Sequence, residues 1–122
     1  MIEVLQDFPE NVIAFACKGH VTKRDYDTVL IPLVEKELKR HEKVRLYYQI
    51  GDDFSGIDPG AVWEDFKVGV EHLPRWERVA VVTDIEWIGN TMKVFSFLMP
   101  GDIRVFPTAE MAKARAWIVA DD

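Results

Sequence analysis

The 122 residues carry 21 acidic and 15 basic side chains, a formal charge of -6, and a single cysteine. A chain of this length buries a core without metal or disulfide staples, and one cysteine makes no internal bridge, which fits a reducing compartment. The acidic balance, with no Lys/Arg cluster to offset it, excludes nucleic acid as a partner.

The first residues, MIEVLQDF, are acidic and strand-like, with no basic region ahead of an apolar run. No signal peptide is therefore expected, and the expected location is cytoplasmic. No apolar run approaches the roughly 18 residues that span a bilayer, so no transmembrane segment is expected. Ile2–Asp7 and Val12–Lys18 read as short strands joined by the turn Pro9-Glu10-Asn11, an antiparallel hairpin. In the second of them Ile13, Phe15 and Cys17 share one face, and Val12, Ala14 and Ala16 share the other. Both faces are apolar, which predicts a strand covered on both sides with Cys17 as a small buried hydrophobe.

Thr22 and Asp25 stand in the T-x-x-D pattern that opens a helix. Tyr26, Val29, Leu30, Leu33, Val34 and Leu38 then recur at helical spacing. Pro32 lies inside that helix and is expected to kink or widen it near Thr28 and Val29. Val44–Ile50 reads as a third strand, and Gly51 to Gly60 as a loop with three glycines and three aspartates. Asp58-Pro59 suits the start of a further helix, with Asp58 as its cap, whose apolar face holds Trp63 and Phe66. Val79–Thr83 is an almost wholly apolar run, the pattern of a central strand. A helix from Ile85 to Met99, a strand Ile103–Phe106 and a helix Thr108–Val119 complete the chain.

The order is ββαβαβαβα, without repeats or linkers. It predicts one α/β domain over residues 1–122: a mixed, mainly parallel five-stranded sheet with about four helices. Several stretches in this order carry a resemblance: A-V-W-E-D-F-K-V-G-V-E-H, R-V-A-V-V-T-D followed by Trp87, M-P-G-D-I-R-V-F and the closing A-x-A-W-I. Together they resemble the SpoIIAA-like family, small bacterial relatives of the STAS and CRAL-TRIO domains. The resemblance implies an interaction or regulatory module acting on a protein partner or as a homodimer. Its alternative is a CRAL-TRIO-type site for a small lipophilic ligand, or peripheral membrane contact. The D-F-S-G segment is similar to the D-S-S-G of STAS anti-sigma-factor antagonists, which makes Ser55 a candidate phosphorylation switch.

No catalytic constellation is legible. His20, His41 and His72 fall at a strand end, a helix end and a polar helix face, with no metal-ligand spacing among them or to Cys17. The loop acids do not follow the calcium-loop pattern, and the glycines form no nucleotide fingerprint, so neither metal nor cofactor is expected. An enzyme is the third reading, behind the two binding classes. The candidate interaction loop is Asp52, Asp53, Phe54, Ser55, Gly56 and Asp58. The late helix carries two apolar stripes. Ile85, Ile88, Met92, Phe95 and Met99 form one, and Trp87, Val94, Phe97 and Leu98 form the other, nearly opposite. One stripe packs on the sheet; the second needs internal cover, a partner or a ligand. Trp63, Phe66, Trp87, Val94, Phe97 and Leu98 are thus the candidate cleft or interface.

Overall fold

The computed structural model describes residues 1–58, 60, 75–97 and 101–120. Five strands, β1 (Ile2–Val4), β2 (Val12–Val21), β3 (Val44–Ile57), β4 (Trp76–Thr83) and β5 (Asp102–Phe106), form one sheet in the order β1-β2-β3-β4-β5. β1 pairs antiparallel with β2 across a turn closed by the Val12 N–H on the Pro9 carbonyl at 3.0 Å. The other three pairings are parallel, so the sheet is mixed and mainly parallel, as the element order predicts. Residues 79–83 of β4 are each at most 6% exposed and lie between β3 and β5, the interior position their composition calls for.

Among the described residues, the helical elements are α1 (Lys23–Asp25), a π-helical turn (Tyr26–Leu30), α2 (Ile31–Arg40), α3 (Glu86–Ser96) and α4 (Met111–Val119), the last preceded by a 3-10 turn (Thr108–Glu110). The capping box expected at Thr22 is present. Thr22 Oγ1 accepts the Asp25 N–H at 3.1 Å, and the Asp25 carboxylate accepts the Thr22 N–H at 2.9 Å. Residues 23–40 continue without a break, and the coil widens where Pro32 demands it. The Ile31 N–H bonds the Tyr26 carbonyl, five residues back. Proline has no N–H to give, and its ring crowds the carbonyl four residues earlier, so a wider turn relieves both. Of the helix expected after Asp58-Pro59, residues 59 and 61–74 lie outside the described residues, while Asp58, its expected cap, is described and contacts His20.

Two apolar cores flank the sheet. Ile13, Phe15 and Cys17 of β2 face the first, with Leu30, Val34, Leu38 and Ile88 from the helices. Val12 and Ala14 face the second, with Tyr47, Ala80, Val82, and Ala114 and Ile118 of α4. Period-two alternation with both sets apolar gives a strand buried on both faces. Buried Arg45 donates to the Ile118 carbonyl at 2.9 Å and to the Ala120 carbonyl, while its Nε lies 2.5 Å from Glu77. Arg78 adds the Trp117 carbonyl at 2.8 Å. The two guanidiniums thereby bond carbonyls at the end of α4, of which that of Trp117 also accepts the Ala120 N–H at 3.3 Å.

Two sequence expectations are corrected. β2 runs on to Val21 and β3 to Ile57, so residues 51–57 are strand rather than loop. The tail of β2 supplies their ladder: Gly19 pairs with Phe54, His20 with Gly56 and Val21 with Ile57. Extra β3 residues are absorbed by register shifts on either side of Gly19, whose φ of +57° favours glycine.

Candidate functional site

Toward the C-terminal ends of β2, β3 and β4, the first core opens into a cleft of about 90 Å³. Its floor is Cys17, Tyr48, Ile50 and Val81 from the three strands. Cys17 pairs with Ile50, and Ile50 with Thr83, so the floor lies where the β3–β4 ladder ends and the β2–β3 ladder shifts register. Phe54 and Ile57 on the extension of β3 make one wall, Tyr26 of the π turn another. Trp87, Ile88, Thr91 and Met92 on α3 complete the lining. None of these eleven residues is an Asp, Glu, Lys, Arg or His. Such a lining holds apolar matter by exclusion of water, with no charge to position a reacting group.

The sequence-derived candidates separate into groups. Trp87 lines the cleft and is 53% exposed, standing at its lip. Val94 and Phe97 do not line it; they are 67% and 89% exposed on α3. Internal cover for this second stripe is therefore absent at its described members. Trp63, Phe66 and Leu98 lie outside the described residues. Of the proposed interaction loop, Phe54 turns into the cleft, while Asp52, Asp53 and Ser55 are exposed on the strand extension. Ser55 falls between the Gly19–Phe54 and His20–Gly56 pairs and has no ladder partner on β2. The serine of the D-F-S-G segment thus sits on an extended, bulged strand and not in a tight turn.

His20 is not a solitary surface histidine. Its Nε2 lies 2.5 Å from Asp58 Oδ1, and Asp58 Oδ2 accepts the Lys23 N–H at 3.4 Å. Gly56, with φ of +157°, sits beneath the ring: a Cβ there would come within 3.3 Å of His20 Nδ1. The bond from His20, with the Lys23 N–H behind it, holds the Asp58 carboxyl below the usual aspartate range. Asp25 is lowered by the Thr22 N–H and hydroxyl, and Asp84 by the hydroxyl and N–H of Thr108. Among the described residues no group of three His, Cys, Asp or Glu side chains is arranged to hold a metal ion. No helix there is long and apolar enough to cross a membrane.

Sequence reasoning named Phe54, Trp87 and Asp58 but missed most of the cleft floor and the His20–Asp58 contact. One signal pointed to the floor: in parallel α/β sheets, ligands gather toward the carboxyl ends of the strands, and Ile50 and Val81 lie near the end of the β3–β4 ladder.

With this geometry in hand, comparison with known proteins is informative about fold. A family model described as SpoIIAA-like matches residues 12–119. The chain is also similar to a crystal structure of an uncharacterised protein of the DUF3478 family with a SpoIIAA-like fold, from Shewanella loihica PV-4. That likeness has a TM-score of 0.71 at 24% identity and covers 96% of this chain and 93% of the other. No curated protein matches the chain.

Proposed function

The chain belongs to the SpoIIAA-like family, and for this member we propose a binding role without catalysis, in which the cleft beside α3 takes a small apolar molecule. The observation that carries this reading is the lining: eleven residues from five elements converge on one concavity, and none bears a formal charge at neutral pH. Aromatic rings on several sides (Tyr26, Tyr48, Phe54 and Trp87) offer large contact areas with few rotatable bonds. A catalytic role lacks support because, among the described residues, no nucleophile and base converge there. His20 and Asp58 stand beside the cleft without lining it, and Ser55 is out on the strand bulge.

The test is binding of the uncharged fluorophore N-phenyl-1-naphthylamine, together with native mass spectrometry for co-purified small molecules. Thr91→Trp is the informative variant, because Thr91 is exposed and lines the mouth of the cleft. Saturable binding lost in Thr91→Trp, with the thermal midpoint unchanged, is the expected result. Absence of binding to the unaltered protein, or equal binding by Thr91→Trp, overturns the reading.

A second reading rests on a different observation, the exposure of Val94 and Phe97. This face of α3 suits association with a protein partner, in the simplest case a second copy of the chain. Burial of such side chains contributes about 25 cal/mol per Å² of apolar surface. Light scattering of Val94→Ser combined with Phe97→Ser tests self-association: the double variant is expected to lose oligomer mass while keeping its fold. A monomeric parent protein at high concentration removes self-association.

A further inference from the structure

The cleft opens at the end of the sheet where α/β proteins commonly hold anions, past parallel strand ends and against helix N-termini. In this chain those positions carry carboxylates of their own. After β2, Asp25 closes the capping box at the start of α1, its carboxylate accepting the Thr22 N–H at 2.9 Å. After β3, Asp58 contacts His20 at 2.5 Å and accepts the Lys23 N–H at 3.4 Å. After β4, Asp84 accepts the Thr108 N–H at 3.0 Å and its hydroxyl at 2.5 Å. Glu86 is exposed in the first turn of α3, one residue before Trp87 at the lip.

The consequences are electrostatic. Amides at the start of α1 that would receive a phosphate or carboxylate are already bonded to Asp25, Asp58 and Thr22. The positive pole of α3 is met by Glu86. The three aspartates are all held below their ordinary range by their hydrogen bonds, so they stay ionised near neutrality. Among the described residues, the cations of the same region are mostly paired with carboxylates, and Arg24, exposed on α1, does not line the cleft. Lys23 pairs with Asp27 at 2.8 Å, His20 with Asp58, and the N-terminal ammonium lies 3.4 Å from Asp25 and donates to the Lys18 and His20 carbonyls at 2.7 Å. Lys93 lies in the last turn of α3. An anionic head group entering the cleft therefore finds, among the described residues, carboxylates at the strand ends and no cation in the lining.

Resting on the cleft as a binding site, we infer that it selects uncharged or cationic amphiphiles and discriminates against anionic ones with the same hydrocarbon part. Fatty acids and phosphate esters are then poor ligands, and alcohols, amines or neutral aromatic compounds good ones.

Competition against N-phenyl-1-naphthylamine by octan-1-ol, octylammonium and octanoate at pH 7.5 tests this, first in low salt and then in 0.5 M salt. The expected result is that octanoate competes roughly fivefold to tenfold less well than the other two in low salt, with the gap shrinking as salt is added. Octanoate competing equally or better, while the fluorophore binds, overturns the selectivity and leaves the cleft as a binding site. Failure of the fluorophore to bind at all overturns both. Glu86→Gln is expected to narrow the gap by about twofold. An unchanged gap in that variant overturns the assignment of selectivity to the carboxylates at the strand ends.

Discussion

His20 Nε2 and Asp58 Oδ1 meet at 2.5 Å although 38 residues separate them in the chain. The contact ties the tail of β2 to the residue that follows β3, at the point where the strand extension begins to wall the cleft. Both side chains are partly exposed, so the pair sets local geometry more than global stability.

Acid sensitivity follows from the lowered carboxyls. Asp25, Asp58 and Asp84 have folded-state pKa values below that of an unfolded aspartate, about 3.9. Their contribution is fully present above the unfolded value and is lost as pH falls through the folded values. Urea midpoints measured from pH 7 to pH 2 are expected to hold to about pH 4 and then fall. In His20→Ala the Asp58 carboxyl, followed by NMR titration, is expected to move up toward its ordinary value. No movement would break the attribution of its shift to His20.

Val81→Asp is expected to unfold the domain. Val81 is buried in an interior strand, and a carboxylate there has neither water nor a partner. The cost is on the order of 4 kcal/mol, comparable to the whole stability of a small domain. A cooperative melt near the parent midpoint would contradict the placement of β4.

Arg45→Met keeps the volume and removes the donors that hold the Ile118 and Ala120 carbonyls. Loss of hydrogen bonds from a charged donor predicts destabilisation of about 1.5–3 kcal/mol by denaturant titration, with amides of α4 exchanging faster than those of β2. Uniform exchange across both elements would deny Arg45 its role at the end of that helix.

Gly101→Ala tests a close approach of backbone to backbone. A Cβ at this position would stand 2.3 Å from the Trp76 carbonyl oxygen and 2.6 Å from that of Glu77. Neither atom belongs to a side chain that can swing aside, so a cost of about 1–3 kcal/mol is expected. A neutral substitution would show that β5 enters the sheet by another path.

What could be read from the sequence was local. The two apolar faces of β2, the Thr22–Asp25 capping box and the widening before Pro32 each follow from residues within a few positions of one another. The strand character of residues 51–57 was hidden because Gly51, Asp52, Asp53 and Gly56 are poor strand formers. Their partner, the tail of β2, lies about 35 residues away, and the irregular register is a tertiary matter. The cleft was hidden for the same reason: its lining comes from five elements, and in sequence Cys17, Ile50 and Val81 are indistinguishable from ordinary core. The exposure of Val94 and Phe97 was foreshadowed by a helix with more apolar surface than one sheet face covers.

The π turn before Pro32 has a consequence for the phase of the first long helix. A turn closed from Tyr26 to Ile31 holds one residue more than a regular coil, and each residue of an α-helix advances the face by about 100°. Removing a single residue between Tyr26 and Leu30 would restore the regular coil. Everything ahead of it would then turn by about that angle against Leu30, Val34 and Leu38, which stay docked on the sheet. Tyr26 would leave the cleft, and the capping box at Thr22 would point elsewhere. The aromatic wall is therefore set by a residue count, and a deletion there would cost more than any substitution of Asp27 or Thr28, both of which are exposed.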